Sequence, residues 1–242
     1  MIFPSIGAEL LSTSSLLKQH SSFLAARLSA EDGEKVNKSS WKKRARQTAP
    51  KEFYLRDSDE EDDLQLVTKP RLRKQSYHVP THEIIVTETA LTTYRALLFG
   101  LQYDRPIEWK PLIPLQQGRG EHHVVGGLSQ EADQISPGSP FPRASPRSMY
   151  RLATHLKIAS VPDLALKEYG NQLSRNLDRV VDEVFSETSA LHGELRNTAV
   201  AVALLAAAEV RQTSSYQKLA SKPTVTMSDE EKWFLAKMKA MR

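Results

Sequence analysis

His78 and His82 stand four residues apart, and His122 and His123 are adjacent. Imidazoles so spaced can share a divalent cation when one helical face presents them. Both pairs lie in segments without a helical face, and no third ligand has a suitable spacing, so no metal set is assigned. A hydrolase would require a serine on a strained glycine elbow, an exposed histidine and an orienting acid; Ser139, in Gly138-Ser-Pro, lacks that context. No Gly-Lys-Ser/Thr phosphate loop is present, and no dinucleotide fingerprint follows the apolar run at Ile84. The chain has no cysteine, which removes thiol nucleophiles, disulfides and cysteine-ligated zinc. The expectation is a protein with no catalytic residue, no cofactor and no metal.

The remaining chemistry is that of charge. Lys42, Lys43, Arg44 and Arg46 form a basic run of the kind nuclear import receptors read; the competing reading is a solvated charge block. Ser58 precedes Asp59-Glu-Glu, and Ser228 precedes Asp229-Glu-Glu, arrangements favoured by acidophilic kinases. At Ser228 an N-cap with Glu231 in the capping-box position accounts for the residues. At Ser58 no helix follows, so Ser58 is the candidate phosphosite, where phosphate would add about −1.5 to −2 charges to an acidic segment. Ser136, Ser139 and Ser145 each precede proline, and Ser145 is better explained as a helix cap. Nucleic-acid binding is disfavoured, because the run at Lys42 to Arg46 and a second basic patch, Lys69, Arg71, Arg73 and Lys74, lack interleaved aromatics and flank the acidic run Asp57–Asp63.

The 242 residues are 40% hydrophobic with a formal net charge of +4. That is enough apolar content for a core, while a mean hydropathy of −0.45 keeps much of the chain in water. No apolar stretch approaches the roughly 20 residues that span a bilayer, and Met1 to Leu11 lacks the pattern of a secretory signal. The expectation is a soluble intracellular protein of nucleus or cytoplasm, with no membrane partner.

Hydrophobic spacing supplies the elements. Leu16, Leu17, Phe23, Leu24 and Leu28 predict an amphipathic helix over Ser15 to Leu28, after an extended entry at Ile6 to Leu11. Ile84 to Thr87 reads as a strand feeding a helix striped by Leu91, Tyr94, Leu97, Leu98 and Leu101, with Arg95 off the stripe. Ile107 to Trp109 reads as a short strand. Ser145-Pro146 predicts a helix start, followed by the faces Met149, Leu152, Ala153, Leu156 and then Val161, Leu164, Ala165, Tyr169. Ser174 is expected to cap a third helix, and the alanine-rich segment Ala199 to Ala208 to be buried in a fourth. Trp233, Phe234 and Met238 stripe a terminal helix. The expected core therefore includes Leu17, Phe23, Ile85, Leu97, Leu98, Leu101, Leu152, Leu156 and Leu164.

Several of these segments resemble a BTB/POZ domain. Ser12-Thr-Ser-Ser-Leu-Leu-Lys-Gln-His-Ser-Ser-Phe-Leu is similar to the first helix of that family. Ala96-Leu-Leu-Phe-Gly-Leu-Gln-Tyr-Asp-Arg-Pro-Ile is similar to its leucine-rich helix and following strand, and Met149 to Tyr169 to its paired helices. Asp182-Glu-Val-Phe-Ser through Glu194-Leu-Arg resembles a fungal subgroup in which low-complexity inserts split the fold. The resemblance implies an α+β fold: a split BTB/POZ-like small sheet with surrounding helices and a helical extension. Its parts are 1–30, first part of the domain; 31–80, a disordered charged insert; 81–115, second part; 116–144, a disordered loop; 145–212, helical part and extension; and 213–242, a tail with a terminal helix.

By the same resemblance the function is protein–protein interaction as scaffold or adaptor. A homodimer is implied but weakened, because the family's first strand looks missing or shortened. A cullin-type ligase role has no clear motif, since Ala30-Glu31-Asp32 and the insert occupy its place. The rival readings are a nuclear nucleic-acid-associated regulator using the basic patches, and an enzyme with a site in Gln116 to Ala144.

Overall fold

A computed structural model of the chain describes residues 2–3, 8–9, 12, 14–31, 89–112 and 141–241. They fall into two compact units, Met1–Pro162 and Asp163–Arg242. Helix dominates the described residues, and among them the strands form only two-residue pairings. The class is α+β in that loose sense. The strand expected at Ile84 to Thr87 lies outside the described residues.

In the first unit, β1 (Ile2–Phe3) pairs antiparallel with β2 (Ala8–Glu9). Of the extended segment expected from Ile6 to Leu11, the described residues are Ala8–Glu9, and they are strand. The single helix expected over Ser15 to Leu28 is two helices, α1 (Ser14–His20) and α2 (Ser22–Glu31), broken at Ser21. Leu17, Ser21, Leu24 and Leu28 share the buried face. The Ser21 hydroxyl accepts from the Leu24 N–H at 3.0 Å, as an N-cap does, and donates to the Leu156 carbonyl. Ser21→Ala will strand both groups in a buried place and cost about 1–3 kcal/mol; an unchanged urea midpoint would show that the hydroxyl carries no such burden.

Helix α3 (Leu91–Tyr103) buries Leu91, Thr93, Tyr94, Ala96, Leu97 and Leu98. It ends at Asp104, which takes the left-handed conformation with φ 48°. Aspartate tolerates that region better than most residues. The Arg105 N–H then closes onto the Gly100 carbonyl at 3.2 Å. A methyl group at Gly100 would stand 3.2 Å from Ile107 Cγ1 and 3.3 Å from the Arg105 carbonyl oxygen, so glycine lets the chain fold back along the helix end. This leads into β3 (Glu108–Trp109), which pairs in parallel with β4 (Arg143–Ala144). Glu108 lies directly opposite Arg143, and its carboxylate accepts from Arg143 Nε at 3.1 Å. Strand β4 falls in the segment read as loop, because two residues beside a proline offer no alternation to detect.

Helix α4 (Pro146–His155) starts as its sequence predicts: Ser145 Oγ accepts from the Ser148 N–H at 3.1 Å, and Pro146 follows at the first helical position. Its burial is wider than the apolar face alone. All residues from Pro146 to Ala153 are buried, including Arg147 and Arg151, and both arginines are engaged by other groups. The helix ends with the Ile158 N–H on the Ala153 carbonyl at 3.0 Å and the Lys157 N–H on the Thr154 carbonyl at 3.2 Å. Lys157 pays for this with φ 53°. Lysine in that region costs about 1–2 kcal/mol, against about 0.4–1 kcal/mol for the extra unfolded-state freedom of glycine. Lys157→Gly is therefore expected to raise the melting temperature, and a lower value would contradict the strain reading.

The second unit takes in most of α5 (Val161–Arg175). Val161, Ala165, Tyr169 and Leu173 form its buried stripe. Leu164, expected in the core, lies one position off that stripe and is 53% exposed. Ser174 does not cap a new helix; it sits within α5, where its hydroxyl donates to the Gly170 carbonyl at 2.9 Å. A 3-10 turn at Leu177–Arg179 leads instead into α6 (Val180–Val184). Then come α7 (Glu187–Leu191), capped by Ser186, and α8 (Gly193–Leu205). Gly170 lies close to α8, where an added Cβ would meet Thr198 Cγ2 at 3.3 Å.

The alanine-rich segment is not buried all round. The helix breaks at Ala206 before α9 (Ala207–Val210), and Leu205 is 89% exposed.

Thr213 caps α10 (Ser214–Ala220), and a 3-10 turn at Thr224–Thr226 precedes α11 (Asp229–Ala240). Phe234, Leu235 and Met238 are buried, whereas Trp233, read as part of the stripe, is 49% exposed. Of the two readings of the terminal helix, docked or detached, the structure has it docked: Phe234 meets Phe185 edge-on at 5.5 Å between ring centroids. Arg196 pairs with Glu230 at 2.7 Å, and Arg211 Nη2 donates to the Met241 carbonyl at 3.0 Å. The capping box is complete, with Ser228 Oγ accepting from the Glu231 N–H at 3.2 Å and Glu231 Oε2 accepting from the Ser228 N–H at 2.7 Å. Lys222 donates to the same carboxylate at 2.9 Å, and chiefly for that reason the Glu231 carboxyl is held below its ordinary range. Stability from this contact is present above the ordinary carboxylate range and is lost as pH falls through the lowered value.

Candidate interaction surface

Residues on α3 that face away from the core make an aromatic patch on the first unit. Leu91, Tyr94 and Leu98 fix the buried side of that helix. Phe99 and Tyr103, four residues apart, then share the opposite side with the part-buried Arg95. The rings of Phe99 and Tyr103 stand 4.7 Å apart at 44°. Phe141, just before β4, adds a third ring 5.2 Å from Phe99 at 45°. Such tilted contacts suit the ring quadrupoles. Phe99 is part-buried between them, whereas Tyr103 is 56% exposed and Phe141 39% exposed, so two of the three rings present surface to solvent.

Single exposed apolar side chains are ordinary, and Leu164, Leu191, Leu205 and Val225 need no special account. A cluster of rings beside an arginine is different, because aromatic and arginine side chains dominate binding energy at protein interfaces. The sequence carried half of this signal in the spacing of Phe99 and Tyr103. Nothing marked Phe141, which is brought in by the β3–β4 pairing.

One polar pair in the interior of the second unit is the Tyr169 phenol, donating to Glu183 Oε2 at 3.0 Å. Both residues are enclosed within the second unit, so the pair serves to fix α5 against α6 rather than to meet a substrate.

Of the core residues expected from sequence, Leu17, Leu97, Leu98, Leu152 and Leu156 are buried. Phe23 and Leu101 are part-buried, the Phe23 ring standing 4.8 Å from that of His155 at a tilt of 55°, and Leu164 is exposed as described. Ile85, Ser58, the basic run Lys42, Lys43, Arg44 and Arg46, and the histidine pairs lie outside the described residues. Among the described residues no group of three or more His, Asp or Glu could hold a metal, and no helix is long and apolar enough to cross a membrane. No protein-family model, no curated protein and no solved structure matches the chain.

Proposed function

We propose that the chain is a non-catalytic protein–protein interaction module, a divergent BTB/POZ-like scaffold or adaptor of nucleus or cytoplasm, which binds through the Phe99, Tyr103 and Phe141 patch. The observation that carries the reading is that two exposed rings, Tyr103 and Phe141, both contact the part-buried Phe99 on one unit. The BTB-like part is supported by the order of elements, with a helix at Leu91–Tyr103, a strand at Glu108–Trp109, and the helices Pro146–His155 and Val161–Arg175. Affinity then comes from apolar burial, which salt does not weaken, whereas phosphate contacts lose affinity steeply as salt rises. The test is capture of partners from the native cell type by the full chain at low and high salt, with and without nuclease. Proteins retained at high salt after nuclease treatment are the expected result. Partners lost in both treatments would favour a nucleic-acid-associated regulator using the basic runs. Sedimentation of the purified chain shows in parallel whether it self-associates.

A further inference from the structure

We propose that Ser228 is a phosphoacceptor for an acidophilic protein kinase, and that the capping box of α11 withholds it until the first turn of that helix opens. Ser228 is followed by three carboxylates, Asp229, Glu230 and Glu231, and the same four residue types in the same order occur at Ser58–Glu61. Ser228 is exposed, and the Asp229 and Glu230 side chains are 101% and 62% accessible. Glu231 is not available in the same way. Its carboxylate holds the Ser228 N–H and both Lys222 contacts, at 2.9 and 3.2 Å, and its side chain is 15% exposed. A kinase that reads the carboxylates after an extended acceptor cannot read this one while the box is closed.

The transfer itself balances simply. The γ-phosphorus of a nucleoside triphosphate bonds to Ser228 Oγ, its bond to the oxygen of the departing diphosphate breaks, and the hydroxyl proton leaves through the kinase's base. The product changes the charge at the start of α11. Asp229 pairs with Lys232, Glu230 with Arg196 and Glu231 with Lys222, three carboxylates against three cations. Phosphate adds about −1.5 to −2 charges and must compete with Glu231 for Lys222. The roughly +0.5 charge of the helix start attracts the phosphate, but drawing Lys222 away from Glu231 leaves that carboxylate unpaired beside it, and the like-charge repulsion disfavours the closed box. Phosphorylation thus favours the opened state of a helix that otherwise buries Phe234, Leu235 and Met238.

The experiment treats the full chain with ATP and an acidophilic kinase and follows phosphate at each serine by mass spectrometry. Wild-type protein should accept phosphate slowly at Ser228. Lys222→Ala leaves the four-residue motif intact but removes the ion pair that helps hold Glu231 in the box, and should raise the initial rate there several-fold; Lys222→Arg should restore the slow rate. Phosphorylated protein should be cut by trypsin after Lys232 and Lys237 several-fold faster than unmodified protein, and Ser228→Ala should abolish that difference. Absence of phosphate from Ser228 in both wild type and Lys222→Ala overturns the acceptor assignment. Equal rates in the two overturn the gating, and slower cleavage after phosphorylation overturns the opening.

Discussion

Replacing Phe234 by alanine is expected to cost about 3–5 kcal/mol, the range for removing a large buried aromatic. The ring is 1% exposed and meets Phe185 edge-on at 5.5 Å, so the cavity opens where α11 is anchored. The neighbouring Trp233→Ala removes a larger side chain, yet Trp233 is 49% exposed and its contact with Lys237 is a distant 6.0 Å. Its effect should stay within about 0.5 kcal/mol. Hydrogen exchange read on α8 and α11 distinguishes the two: Phe234→Ala should speed both helices, and Trp233→Ala neither. Equal effects would mean that the helix is held by its ion pairs instead of its apolar stripe.

A second large effect is expected in the first unit. Leu98 is 5% exposed on the inner side of α3, and Leu98→Ala should cost about 2–5 kcal/mol. Arg95 lies three residues earlier on the outer side and is part-buried, as expected of an apolar stem with its charge in water. Arg95→Ala should cost less than about 1 kcal/mol. Urea denaturation of the two variants gives the order directly, and an inverted order would turn the helix about its axis.

These contrasts show which features a sequence can carry. Ser145-Pro146 and Ser228-Asp-Glu-Glu were legible because a cap is local: the hydroxyl and the amide it serves lie three residues apart. The side of α3 that faces inward was legible from the spacing of Leu91, Tyr94 and Leu98. Features set by distant partners were not. Ser21 breaks one expected helix into two, and its hydroxyl meets a carbonyl 135 residues away, a partner that no local pattern announces. Strand β4 exists through its pairing with β3, and Phe141 joins the aromatic patch by the same route. Leu164 and Leu205 were misplaced because apolar residues crowd both α5 and α8, so hydrophobicity alone does not decide which side is buried. Arg147 and Arg151 are buried on the polar side of α4, where a sequence pattern would assign water.

The aromatic patch is the centre of the proposed function, and one comparison tests it most directly. The full chain and its Tyr103→Ala/Phe141→Ala variant, both first shown to unfold at the same urea concentration, are used to capture partners from the native cell type at high salt. Exposed rings contribute little to folding, whereas truncating the aromatic anchors of an interface costs about 2 kcal/mol or more of binding each. The expected result is a set of proteins retained by the wild-type chain and lost by the variant, with affinity falling roughly 30-fold or more for each ring removed. Capture of the same proteins in the same amounts by both chains would contradict the account.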